Sequence, residues 1–238
     1  MLLPILPLLT ALTAAPTHPP LSAQQERDQL YSWLAYAVVY QDWQTSARPD
    51  SSRGFNIGSV LVNAEGYVVH WGRNCVGQTR NQTQHGEVRL MQSYLARTRQ
   101  LHLKGYTLYT TLEPCAMCSG MMTLTQVTRT VFGQRDPDYG DALQRLQLDS
   151  RACAHGYGPY PRAVAVEQAP DVVSAGLDSA YQRRQPERIV AFLASGAARP
   201  LFARAAARLA RYRVQHPENQ ARLDSARRFL ARLPRTEQ

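Results

Sequence analysis

The chain changes its hydrophobic rhythm several times. Residues 2–15 are apolar, broken by Pro4, Pro7 and Thr10. Over residues 25–43, apolar side chains fall at Leu30, Trp33, Leu34, Ala37 and Val38, the spacing of a helix. The polar run 42–54, with Pro49, Asp50, Ser51 and Ser52, reads as a loop. Strand-like runs at 57–62 and 67–71 flank Asn63-Ala64-Glu65-Gly66 and predict a hairpin. A polar loop over 75–83 leads into a helix that carries His85 and continues through Val88, Leu90, Met91, Tyr94 and Leu95. Then come a strand at 106–110, a helix at 115–124, a strand at 129–132, a short helix near 141–148 and a strand at 163–166. Helices interleaved with strands predict an α/β fold, a three-layer α/β/α sandwich around one mixed sheet. From residue 177 the pattern is helical, with breaks near Ser195-Gly196 and His216-Pro217. Phe202, Ala205, Leu209 and Tyr212 form one apolar stripe, and Leu223, Ala226, Leu230 and Leu233 another, with arginines between them. These two helices are expected to pack on the domain with solvated arginine faces; a polyanion-binding appendage is the alternative. The expected organisation is a leader at 1–23, a main domain at 24–175 and a helical, Arg-rich C-terminal extension at 176–238.

Composition adds three constraints. A hydrophobic content of 44% over 238 residues supports a packed core, and four cysteines are too few for a disulfide scaffold. The formal net charge of +9 raises the question of an anionic partner. Its placement matters more than its size: arginines crowd residues 199–235, while acids and bases nearly balance between residues 24 and 149. The apolar start is too short to span a bilayer and ends in Ser22-Ala23, although no Lys or Arg precedes it. It reads as a signal peptide cut after Ala23, so a periplasmic or secreted location is expected, with no transmembrane span.

The chemistry concentrates in two stretches, His85-Gly86-Glu87 and Pro114-Cys115-Ala116-Met117-Cys118, or H-x-E followed by P-C-x-x-C. One imidazole and two thiolates make three ligands for zinc, and a catalytic zinc takes three from protein and leaves one position open. Cys115 and Cys118, three apart, share a helix face, and Pro114 suits the first turn of that helix. The helix start favours thiolates. Glu87 is not needed as a ligand and can move protons beside the metal. A structural zinc site closed by Cys75 or Cys153, or a redox Cys pair, is the bland alternative. The redox reading leaves His85 and Glu87 without a role.

These motifs, with Gly58-Ser59-Val60-Leu61-Val62, Asn74, Thr111-Leu112-Glu113 and Val131-Phe132-Gly133, give residues 25–166 a resemblance to the cytidine and deoxycytidylate deaminase superfamily. Within it, the chain is most similar to the tRNA-adenosine and guanine deaminase branch. The resemblance implies that fold, zinc, frequent dimers and a substrate contact from Asn74, whose amide can both donate and accept. Gly86 stands where the family usually has Ala and keeps the backbone N–H that can face substrate. Main chain near Glu113 and Pro114 is expected to border the pocket. Asn56 and Ile57 stand where guanine deaminases tend to carry Pro and Phe. The expected function is hydrolytic deamination of a nucleobase or nucleoside. A deaminase acting on polynucleotide, either a tRNA-type editor or a secreted nucleic-acid-modifying toxin, is one alternative, supported by the basic tail. A non-catalytic zinc-binding module is the other.

Overall fold

A computed structural model describes residues 21–48, 50, 52–185 and 187–234. The expected leader falls almost wholly outside the described residues, as do Pro49 and Ser51 of the expected loop. The first described element, α1 (Ala23–Tyr40), begins where Ser22 accepts from the Gln25 N–H while the Gln25 side chain reaches back to the Ser22 N–H. This capping box satisfies two donors that a helix start leaves open. Leu21 and Ala23 are also tied into the fold, through His216 and Asn219. A cut after Ala23 would remove this cap.

Five strands form one mixed sheet in the order β2-β1-β3-β4-β5. The expected hairpin is β1 (Gly58–Val62) antiparallel to β2 (Val68–Arg73). β3 (Thr107–Leu112) pairs antiparallel with β1, and β4 (Arg129–Gln134) and β5 (Ala165–Gln168) follow in parallel. Strand alternation divides the interior into two cores. Val60, Val62, Tyr109 and Val131 face α1. Leu61 and Leu108 face α3 (Gly86–Thr98) and α4 (Ala116–Leu124). Helices cover both faces, as expected for three layers.

α1 is buried on nearly every side, including Trp33, Leu34, Tyr36 and Val38, which are all 0% exposed. A helix apolar all round needs cover all round. The sheet covers one side, and α8 (Arg199–Arg211) and α9 (Gln220–Arg232) cover the other. Phe202 sets its ring edge-on against Tyr36 and Trp43, and Tyr212 does so against Trp33. The Glu26 carboxylate, inside the fold, accepts from the Tyr212 hydroxyl, the Asn219 amide and the Gln215 and His216 N–H groups. The C-terminal helices therefore belong to the main core.

Several boundaries differ from those the sequence predicts. The expected border at 175/176 falls inside α6 (Val172–Gln182), which starts earlier because Asp171 caps it, accepting from the Val173 and Ser174 N–H groups. The polar loop at 75–83 holds a single helical turn, α2 (Val76–Thr79). The last strand sits two residues later than its apolar run, where its pairing with β4 places it. No helix among the described residues is long and apolar enough to cross a membrane.

Candidate metal centre and active site

β2 leads through the loop that holds α2, and β3 through a short turn, to the two metal-bearing helices. His85 is the N-cap of α3 and Cys115 the N-cap of α4; Cys118 lies in the first turn of α4. Pro114 therefore sits just before the cap, not in the first turn. His85 Nδ1 is 3.7 Å from Cys115 Sγ and 3.6 Å from Cys118 Sγ, and the two sulfurs are 3.7 Å apart. Bonds of usual zinc lengths at tetrahedral angles place two sulfurs ~3.8 Å apart and a sulfur and a nitrogen ~3.6 Å apart. The triangle has those dimensions.

Electrostatics agree with that fit. The hydrogen bond with Cys118, helped by His85 and opposed by burial, draws the Cys115 thiol down to about 4. Cys118 is pushed up, first by the same contact and then by burial. Burial disfavours the charged form of His85, but Cys115 and Glu87 outweigh it and raise its pKa. Two close sulfurs sharing a proton are a conflict that a divalent cation removes. Among the described residues no fourth Cys, His, Asp or Glu joins the group. Cys75 hydrogen-bonds Gln78 and Cys153 is exposed, so neither closes a structural site. The donor set is that of a three-ligand zinc centre.

Glu87, on the first turn of α3, is buried beside these ligands. Thr110 of β3 donates its hydroxyl to Glu87 Oε1 at 3.0 Å, while Oε2 is buried with no partner. Burial raises the carboxyl pKa; His85 and Thr110 partly offset it. Thr110 carries no motif signal, since a threonine in a strand is commonplace, and only the β3–α3 packing reveals its role.

The expected substrate residues are placed less uniformly. Asn74, at the end of β2, is fully buried; its Oδ1 accepts from the Phe55 and Val76 N–H groups and its Nδ2 has no partner. Gly86 packs against the end of β2 so closely that an added Cβ would lie 3.0 Å from the Gly72 carbonyl oxygen. Glu113 uses its carboxylate internally: Oε2 accepts from the Asp136 N–H and Oε1 from the Asp141 N–H, fixing the loop 135–141. Gly140 is required there, because a Cβ would meet Glu113 Oε2 at 2.5 Å. A cleft of about 550 Å³ opens beside this loop, lined by Ala116, Tyr139, Gly140, Arg145, Tyr157 and Tyr160. Ala116, which follows the ligand Cys115 in the chain, forms part of its wall.

Comparison with known proteins is consistent with this geometry. Residues 35–134 match the family model of the cytidine and deoxycytidylate deaminase zinc-binding region. The tRNA-specific adenosine deaminase of Aquifex aeolicus (strain VF5) is 32% identical over 103 residues, covering 42% of this chain and 68% of the relative. That of Agrobacterium fabrum (strain C58 / ATCC 33970) is 29% identical over 123 residues, covering 52% and 72%. A tRNA(Ile)-lysidine synthase of Deinococcus deserti is 30% identical over 129 residues, but the match takes in only 24% of that longer protein. A solved guanine deaminase from Nitrosomonas europaea aligns at 18% identity and a TM-score of 0.42, covering 79% of this chain and 86% of that one. The chain belongs to the cytidine and deoxycytidylate deaminase superfamily of zinc-dependent hydrolases, in the branch that holds the tRNA-specific adenosine deaminases.

Proposed function

We propose that this protein hydrolytically removes the exocyclic amine of a base presented by a nucleic acid strand. The observation that carries the reaction is Glu87, a buried carboxylate beside three zinc ligands with one oxygen held by Thr110 and the other unpartnered. His85, Cys115 and Cys118 would hold the ion. When bound, zinc supplies Lewis acidity that makes water a nucleophile near neutral pH. Glu87 Oε2 takes a proton as water adds to the amine-bearing ring carbon and returns it to the ring nitrogen. A further proton passes through the same oxygen to the amine, which leaves as ammonia while the ring keeps the oxygen. The unpartnered Asn74 Nδ2 supplies a donor for a ring acceptor, and the Gly86 N–H stands at the same helix start.

The strand, in preference to a free base or nucleoside, is supported by the tyrosine-lined cleft that Ala116 helps to wall. Tyr139 and Tyr157 are 64% and 62% exposed, the exposure of stacking platforms for unpaired bases next to a reacting one. The similar tRNA-specific adenosine deaminases support the same reading. The depth of Glu87 and Asn74 favours a second reading, in which a single free base or nucleoside enters alone. Ammonia release from free bases, nucleosides and single-stranded oligonucleotides, compared in one assay, separates them. Turnover on oligonucleotides well above that on nucleosides is expected; turnover on free bases or nucleosides alone contradicts the strand reading. The apolar leader supports export as part of this proposal, and the N-terminus of the mature protein tests it.

A further inference from the structure

Residues 183–234 hold twelve arginines against three acids, a surplus equal to the entire formal charge of +9. The rest of the chain is balanced, so the molecule is electrically two-sided. Most of that excess sits on the layer built from α8 and α9, across the sheet from the metal-bearing helices, while Arg183, Arg184 and Arg188 lie just past α6. Part of it serves the fold: Arg208 lies over the Trp33 ring, and Arg227 donates to the Leu209 and Tyr212 carbonyls, joining α9 to the end of α8. Arg204, Arg211, Arg213, Arg228 and Arg232 are different. They are exposed, and their side chains make no ion pair or hydrogen bond among the described residues. Arg204, Arg208 and Arg211 follow helical i, i+4, i+7 spacing, ~10 Å from end to end. The Arg227 contacts bring Arg211, Arg213 and Arg228 to the same junction.

We infer that the outer face of α8 and α9 is a docking surface for the phosphate backbone of a nucleic acid, separate from the metal centre; this rests on the reading that the substrate is a strand. Guanidinium groups hold phosphate oxygens by paired hydrogen bonds. A membrane surface fits less well. An interfacial helix must offer lipid its apolar face. Here those faces are already occupied, since Phe202, Ala205, Leu209, Leu223 and Ala226 are all 0% exposed within the protein core. What remains outside is charge with no apolar anchor.

The test is binding of a fluorescein-labelled 30-nucleotide single-stranded RNA to the full chain across a series of KCl concentrations. The variant carries Arg204→Gln, Arg211→Gln, Arg228→Gln and Arg232→Gln together, and a companion carries Lys at the same four positions. None of these residues belongs to the metal centre, and all are exposed, so zinc content and the urea midpoint should be unchanged. The Gln variant should bind at least roughly tenfold more weakly at low salt. Its slope of log K against log salt should be shallower by about 0.7 for each phosphate that it no longer neutralises. The Lys companion should keep the wild-type slope. Unchanged affinity and slope in the Gln variant overturn the proposal. So does loss of binding to phosphatidylserine vesicles with RNA binding intact. Binding needs no turnover, so the two readings fail separately. RNA held by these arginines but never deaminated sinks the substrate reading alone. RNA deaminated and bound without them sinks this surface alone.

Discussion

At Glu87 the two carboxylate oxygens have different environments, and this difference is what makes the residue useful. A donor on Oε1 fixes the rotamer and leaves Oε2 to the chemistry. Thr110→Val keeps the shape of the side chain and deletes that donor. Hydrogen bonds to charged groups are worth roughly 1.5–3 kcal/mol. The expected loss is therefore about ten- to a hundredfold in kcat with KM nearly unchanged, and Thr110→Ser should restore most of it. Steady-state kinetics of the three proteins checks this; equal loss in the Val and Ser variants would assign Thr110 to packing alone. The ligands and Glu87 were legible in the sequence because their chemistry demands those residue types at that spacing. Thr110 was not, because its partner lies 23 positions away and the contact exists only once β3 packs on α3. Glu113 was legible as part of a motif, but its use in holding a loop was not, since backbone N–H donors leave no mark on composition.

At the scale of elements, the site depends on how closely β2 approaches the start of α3. A Cβ on Gly72 would sit 2.3 Å from the Gly86 carbonyl oxygen, and one on Gly86 would sit 3.0 Å from the Gly72 carbonyl oxygen. Gly72→Ala should therefore cost more stability than Gly86→Ala, and should also loosen zinc by displacing His85. Denaturant midpoints and zinc content of both variants measure this; equal costs would mean that the strand end yields easily. The C-terminal helices raise a parallel expectation. Phe202→Ala removes a fully buried ring between Tyr36 and Trp43 and should cost ~3–5 kcal/mol of unfolding free energy, read from urea titration. A cost near zero would detach α8 from the core. The apolar stripes of α8 and α9 announced their packing in the sequence. Their target did not appear there, although the dense apolar run of α1 already required cover on a second side. Element ends were least legible, because caps such as Asp171 and strand registers such as that of β5 are decided by tertiary pairing.

The whole molecule is a sheet with a reactive layer on one face and a charged, stabilising layer on the other. Glu26 joins the first described helix to the C-terminal segment across the second layer. Burial favours its neutral form, but the Asn219, Gln215, Tyr212 and His216 donors outweigh this and lower its pKa from 4.5. A lowered folded pKa gives stability that is present above the unfolded value and lost as pH falls through the folded one. Glu26→Gln should therefore destabilise the protein at pH 7, and the difference from wild type should shrink below about pH 4.5. Urea midpoints of both proteins across pH test it; a constant difference would remove Glu26 from the acid response.

The central claim is that a zinc centre made by His85, Cys115 and Cys118 works with Glu87 as the proton carrier. The most direct measurement is zinc content and ammonia release from single-stranded RNA, taken on the same preparations of wild type and Glu87→Gln. Wild type should hold one zinc per chain and release ammonia. Glu87→Gln should hold the same zinc and lose at least ~10²–10⁴-fold in turnover, the usual worth of general acid–base help. A zinc-loaded Glu87→Gln protein with near wild-type turnover, or an active wild type without zinc, would contradict the account.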